Sequence, residues 1–563
     1  MARDSVTVRE PTSPQLAPQP ILEVGTKAGL QPTELIPYGR FRAKVDLRVL
    51  DRLKDRPDGK LVVVTGITPT RAGEGKTASA ISLTEGLGRA SRKVALCLRE
   101  PSMGPLFGLK GGGAGGGRAQ IVPADEINMH FNGDIHAVGA AHNLLAAALD
   151  ASIFHGNPLH IDPLRVTWPR TLDVDDRSLR HIVTGLGGPA HGIPREAHFE
   201  ITAASEIMAI LALASDLQDL RGRLGRIVVA DRQGGGQITA EDLRVAGAMA
   251  VLLKEALNPN LVQTGEGQPT LVHAGPFGNI AHGNNSLLAD RVGLKLADIV
   301  VTEAGFGSDL GFEKFCHIVC RYGRMRPALA VLVATVRALK THGGSSEAQA
   351  AAGEDLDALR RGADNLAAHI DNIHHFGVPC VVAVNRFPTD TDRELGLLDE
   401  LARSLGADDV VQHEGYVKGG AGAEAFAAAV DRALRRAGDG FRPLYPPGTP
   451  VREQIEILAR EVYSAEGVDF LPEAEKRIDA LESQGLGTLP VCMAKTHLSV
   501  SHDPARKGRP RGFLLPVRTV YPSVGAGFVV ALCGDIQLMP GLGKTPAFTR
   551  IDLDPSGAIV GLT

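Results

Sequence analysis

Aromatic side chains are scarce in this chain, 4% of its 563 residues with a single tryptophan, so few rings are available to interleave with basic residues as stacking platforms for nucleic acid. The one basic stretch, DPARKGRPRG (503–512), has none within it and reads as a solvated loop. Cysteine is also thin. The six residues, at 97, 316, 320, 380, 492 and 533, form no C-x-x-C pair, which argues against a disulfide framework and leaves a zinc site without its usual spacing. Cys316 and Cys320, four apart, read as two buried thiols on one helix face. The net charge of −4 gives no global pull toward DNA, RNA or anionic lipid. No apolar run reaches the roughly 18–20 residues that span a bilayer. The opening MARDSVTVREPTSPQLAPQP is polar and Pro-rich, a flexible leader without a signal-peptide core. These absences predict a soluble cytoplasmic protein with no nucleic-acid or membrane partner, whose ligands are recognised at a built site.

What is abundant is glycine, 66 residues, much of it in short clusters after β-branched runs. LVVVTGI (61–67), KVALCL (93–98), RIVVA (226–230), DIVVT (298–302), ALAVLVAT (328–335) and VPCVVAV (378–384) are nearly continuous apolar stretches, the pattern of parallel strands covered on both faces. Helical periodicity fills the gaps, as in 206–224 and 241–257. The expected fold is α/β: a P-loop-type, doubly wound and mostly parallel sheet core with a second α/β lobe and a small strand-rich C-terminal domain. Composition shifts at 342–357 and 438–451 divide the chain into a leader (1–20), a nucleotide-binding domain (21–340), a second α/β domain (341–485) and a C-terminal domain (486–563).

The most informative segment is 61–87, a strand, a Gly-containing loop and a helix opening at Lys76-Thr77. Gly73, Gly75, Lys76 and Thr77 supply turning backbone amides, a cation for terminal phosphates and a hydroxyl for Mg²⁺. A strict Walker A pattern has glycine at position 70; here it is Thr70. Asn385-Arg386-Phe387-Pro388 begins like a guanine-reading loop but carries proline where the base-binding carboxylate belongs, so adenine is favoured. Glu303, ending another strand, either orients Mg²⁺ or substrate or is a structural carboxylate. Arg99 and Glu100 follow strand 93–98, where ligands collect in this class; Arg99 reads equally well as a phosphate ligand or as a salt bridge to Glu100. GGGAGGG (111–117) reads as a backbone-lined pocket. His130, His136 and His142 recur every six residues, neither a helical nor a strand period, and do not converge on one metal; Asp134 stands between them.

Taken together, TPTRAGEGKT (68–77), LREPSMGPLFGLKGG (98–112), INMHFNGDIHAV (127–138), GPFGNIAHG (275–283), VVTEAGFGSDLGFEKF (300–315), ATVRALKTHGG (334–344), VNRFPTDT (384–391), LPVCMAKT (489–496) and GDIQLMPGLGKTPA (534–547) closely resemble the formate–tetrahydrofolate ligase family, in order from about residue 20 to the C-terminus. The resemblance implies ATP-dependent ligation of formate to tetrahydrofolate through formyl phosphate. It implies ATP held by Thr70, Arg71, Ala72, Gly73, Glu74, Gly75, Lys76 and Thr77, and Lys76, Arg99 and Glu100 as the catalytic group. Phe387 and Tyr416 would form folate walls, with Glu100 and Asp134 on the pteridine and cation side. Mg²⁺ with ATP, a monovalent cation and a homotetramer belong to the same expectation. Three departures stand out: Arg71 where the family has proline, Tyr416 where it has tryptophan, and GGAGA (419–423) where it has G-G-E-G-G. The alternatives are another P-loop carboxylate-activating ligase, of the dethiobiotin-synthetase kind, and a P-loop ATPase switch protein without ligase activity.

Overall fold

The computed structural model describes residues 17–71, 73–108 and 112–562; most of the expected leader, and Ala72, lie outside the described residues. Its centre is a sheet of twelve strands. In chain order these are β1 (Leu35–Pro37), β2 (Ala43–Val45), β3 (Lys60–Gly66), β4 (Val94–Leu98), β5 (Gly115–Gly116), β6 (Ala119–Val122), β7 (Asn260–Thr264), β8 (Pro269–Val272), β9 (Ile299–Gly307), β10 (Pro327–Ala334), β11 (Cys380–Asn385) and β12 (Asp409–His413). The spatial order is β1-β2-β7-β8-β4-β9-β3-β10-β11-β12, with β5 and β6 as a side ribbon on β7. From β8 to β12 every pairing is parallel, and the β1, β2 and β7 side is antiparallel.

The parallel strands are apolar throughout because both faces are covered. On β3, Leu61 and Val63 point into one core and Val62 and Val64 into another. The second core is closed by α1 (Lys76–Arg89), through Ile81, Leu83 and Leu87, and by the helix Glu424–Arg436, through Phe426 and Val430. The first is closed by the helices Leu287–Leu296 and Leu356–His375. Strands β4 and β10 lie on opposite sides of β3, so the loop that leaves β3 opens where the chain's crossovers diverge. That topology, and not the loop alone, creates a crevice at the carboxyl ends.

Two expectations meet a different outcome. Residues 380–385 and 409–413, assigned by composition to a second lobe, pair in the same sheet as β3; the polar stretch at 342–357 is a crossover on the sheet's face and does not separate two sheets. A separate core begins near Tyr445, where Ile455, Leu458, Ile478, Val491 and Val529 pack together. The helix Asp134–Phe154 is long and apolar enough to cross a membrane by length and composition, contrary to the expectation that no such run exists. Its polar residues interrupt the run without lowering the mean hydropathy enough, and Val138, Ala141, Leu145 and Leu149 are buried in the protein core. All six cysteines are free and buried.

Leu83 is fully buried between α1, the sheet and the helix Glu424–Arg436. Leu83→Ala is expected to cost about 2–5 kcal/mol, read as a lowered unfolding midpoint in denaturant.

Candidate active site

The loop after β3 is held by buried polar contacts on three sides. Thr70 donates from its backbone N and its hydroxyl to Glu74 Oε1, at 2.7 and 3.0 Å, so the residue in the position of the missing glycine closes the loop on itself. Glu74 is buried, and burial holds its carboxyl above the ordinary range against the pull of Lys76. Asn385, at the end of β11, donates from Nδ2 to Glu74 O at 3.1 Å. Gly75 adopts φ 75°, and a Cβ there would come within 2.5 Å of Asn385 Nδ2, so the clamp requires glycine. Asn385 therefore grips the loop after β3, where the sequence pattern resembled a base-reading position. On the other side Asn365 Nδ2 donates to Thr68 Oγ1 at 2.9 Å, His369 Nε2 meets the same hydroxyl at 2.9 Å, and His342 Nε2 donates to Thr68 O at 2.8 Å. Sequence reasoning missed these three residues. Their signal was Asn365 and His369 four apart on the buried face of a helix.

Lys76 opens α1 and folds back along β3, its Cδ 3.0 Å from where a Cβ of Gly66 would lie. Thr77 Oγ1 donates to Glu303 Oε2 at 2.8 Å across the β3–β9 pair. Arg99 leaves β4 and lays its guanidinium over Gly305, 3.3 Å from the position of a Cβ there. Lys76 and Thr77 follow β3 and Arg99 follows β4, while Glu303 lies midway along β9, the strand between them. Arg71 is exposed at the loop tip, its backbone N 3.4 Å from Glu347 Oε1, and Gly73 sits at φ 75°.

Glu100 is buried with Oε2 lacking a hydrogen-bond partner, and burial, reinforced by the charge of Asp134, raises its carboxyl well above the ordinary range. Asp134 is saturated: Lys44 Nζ reaches its two oxygens at 2.7 and 3.0 Å, and Asn260 Nδ2 donates to Oδ2 at 2.7 Å. Of the three histidines at six-residue spacing, His142 is buried and stacked on Trp168, 4.2 Å between centroids, while His130 and His136 are exposed.

Phe387 and Tyr416 follow adjacent strands, β11 and β12, tied at their ends by Arg386 N donating to His413 O at 3.1 Å. Phe387 is half-buried under the Arg337 guanidinium, 4.5 Å from its ring centroid. The Tyr416 ring is 54% exposed, with its backbone docked on the glycine ribbon: Arg118 N donates to Tyr416 O at 2.8 Å. Gly117, at φ 59°, would place a Cβ 2.1 Å from Tyr416 O, which explains glycine in the 115–117 ribbon. Phe306, which the sequence did not single out, holds φ 61° at the end of β9 and stacks on His497 at 4.6 Å.

A family profile described as formate–tetrahydrofolate ligase matches residues 11–563. The chain belongs to this family. It is 53% identical over 550 residues to the formate–tetrahydrofolate ligase of Desulforamulus reducens, covering 96% of this chain and 97% of the relative. It is 52% identical over 552 residues to that of Roseiflexus sp. strain RS-1, covering 97% and 98%, and 52% identical over 543 residues to that of Paracoccus denitrificans, covering 96% and 97%. The members of the family are thus matched along the sheet, the crevice and the C-terminal core alike, so both of the alternative P-loop readings lose their ground.

The segment carrying Tyr416 rests on Glu85, a carboxyl fully buried in α1 whose oxygens make no hydrogen bond of normal geometry. Burial first, and the charge of Glu266 second, push it up to about 8. Between the ordinary carboxylate value of 4.5 and 8 the folded chain keeps a proton that the unfolded chain has lost. Stability contributed below pH 4.5 is therefore lost as pH rises through 8, at up to about 1.4 kcal/mol per pH unit. Thermal unfolding of Glu85→Gln between pH 5 and 8.5 is expected to vary less with pH than that of the wild type.

Proposed function

We propose that this chain joins formate to tetrahydrofolate with hydrolysis of ATP to ADP and phosphate, giving 10-formyltetrahydrofolate, and that formyl phosphate is the intermediate. The ligase activity and its product follow from the family. The observation that supports the intermediate is the placement of two cations, Lys76 and Arg99, at the ends of β3 and β4 around one crevice. Formate is a poor acyl donor because its leaving group would be an oxide. A formate oxygen attacks the γ-phosphorus, an O–P bond forms, the bridging O–P bond breaks and ADP departs. The folate N10 then attacks the formyl carbon, a C–N bond forms as the C–O bond to phosphorus breaks, and the amine proton leaves on the phosphate. Charge on the transferring phosphoryl group is met by Lys76 and Arg99.

On this reading the backbone of Thr70, Arg71, Gly73, Glu74, Gly75, Lys76 and Thr77 cradles ATP at the start of α1, and the sheet is a P-loop-type, doubly wound core. Thr77 fits Mg²⁺, since donating its proton to Glu303 leaves a lone pair for a hard cation, and Glu303 is a carboxylate beside it. Such an ion neutralises the β- and γ-phosphate oxygens when bound. Glu100, with its unpartnered buried oxygen, fits the monovalent cation that the resemblance implies; Asp134, already paired with Lys44, supports that wall of the pocket from behind. Phe387 and Tyr416 wall the folate side. The boundary between the catalytic body and the C-terminal lobe lies near residue 440 on this reading, because β11 and β12 carry site residues. The active form is a homotetramer in the cytoplasm.

Lys76→Ala is expected to keep its melting temperature and lose formate-dependent ADP release and 10-formyltetrahydrofolate formation by at least about a hundredfold, measured in a coupled assay. Tyr416→Trp is expected to lower the folate KM severalfold, since a larger face adds about 0.5–1 kcal/mol of stacking, while leaving the ATP KM unchanged.

A further inference from the structure

A cavity of about 370 Å³ opens at the far end of the helix Asp134–Phe154, and no residue of the candidate active site lines it. Asp134, the first residue of that helix, stands on the Glu100 side of the crevice, whereas Asp150 lines the cavity. At about 1.5 Å per residue the two positions are about 24 Å apart along the axis. Asp150 accepts from Arg170 Nη2 at 2.6 Å and from Arg195 Nη2. Neither guanidinium makes another hydrogen bond among the described residues, so each keeps N–H donors to spare. Asp150 is the one carboxylate among the described residues that line the cavity, and one carboxylate between two arginines leaves a positive charge over. The side chain of Arg195 is 10% exposed, so that charge is held within the protein and not on a solvated arm.

A third donor stands beside the arginines. Thr184 and Arg195 are directly opposite one another in the antiparallel ribbon of Ile182–Thr184 and Arg195–Ala197, so their side chains share a face. Thr184 lines the cavity, and its Oγ1 is buried without a hydrogen bond among the described residues. Such a hydroxyl carries a desolvation cost that a ligand oxygen would remove. The loop closing the ribbon turns at Gly185, φ 75°, where a Cβ would come within 2.6 Å of Ile193 O. Ile193 and Phe154, each about half exposed, give the cavity an apolar side. The helix ends here, and the partial negative charge of its last turn, about half an elementary charge, is smaller than the charge the arginines leave over.

We propose that this cavity is a second ligand site, apart from the ligase crevice, and that it takes a phosphate monoester of a small apolar group. The three terminal oxygens of the phosphate accept from Arg170, Arg195 and Thr184 Oγ1, while the apolar group lies against Phe154 and Ile193. A carboxylate has two oxygens for three donors and leaves one unmet. Asp150 holds both guanidiniums in place before the ligand arrives, so little ordering is needed on binding.

The chain's single tryptophan reports on this cavity. Trp168 stands two residues before Arg170 and stacks on His142, which belongs to the helix that carries Asp150. The test titrates phenyl phosphate and inorganic phosphate into the full-length protein, with and without saturating MgADP, and follows Trp168 emission and the heat of binding together. Phenyl phosphate is expected to bind saturably whether or not MgADP is present, and about tenfold more tightly than inorganic phosphate because it buries its ring. Arg195→Gln is expected to weaken that binding about tenfold or more and Thr184→Val severalfold, with the KM values for ATP, formate and folate within about twofold of wild type. Should Arg195→Gln fail to fold, Arg170→Lys, which keeps the charge and loses the planar fork, takes its place with the same expected loss. The inference is overturned if wild type shows no saturable change in emission or heat, if MgADP abolishes the binding, if the two probes bind equally, or if Thr184→Val binds phenyl phosphate as wild type does.

Discussion

The grip of Asn385 on the loop after β3 is the contact on which the rest of the candidate site depends. One amide hydrogen bond to Glu74 O joins the end of β11 to a loop that leaves β3, with β10 between those two strands. With Thr68 held by Asn365, His369 and His342 on the other side, the loop cannot relax without stranding buried polar groups. Lys76 and Thr77 start the helix that follows, so their direction is set by the same clamp. A strained, glycine-bearing turn is affordable here because its neighbours over-determine it.

Several buried charges in the molecule are neutralised by one another. Lys44, Asp134 and Asn260 neutralise one another, and Lys340 pairs with Glu394 and Lys495 with Asp309 in the same buried manner. Breaking any of these pairs would leave a buried charge alone. Other buried polar atoms have no partner among the described residues, and they are spread over the fold: Glu85 and Glu100 by the central sheet, Tyr445 and Tyr463 in the C-terminal core.

Much of this was legible in the chain. Apolar runs without alternation marked the parallel strands, and the spacing from Gly73 to Thr77 marked the glycine-bearing turn that enters α1, because both depend on local geometry that a few residues dictate. The strand end carrying Arg99 and Glu100 was legible for the same reason. The role of Asn385 was not legible, since an Asn at a strand end looks the same in sequence whether it faces a ligand or a neighbouring loop. The composition shift at 342–357 suggested a lobe boundary because small polar residues mark an exposed crossover as readily as a linker.

The sequence by itself determined the elements, the α/β class, the glycine-bearing turn after β3 and the family, since each follows from residue types at short range or from strings matched along the whole length. Only the tertiary structure decided which strands neighbour one another, and therefore that Thr77 meets Glu303, Asn385 meets the loop after β3 and Arg99 lies over Gly305. Sequence distance carries no information about that convergence: it arises from parallel pairing over long crossovers, whose order is set by how two helical layers pack on one twisted sheet.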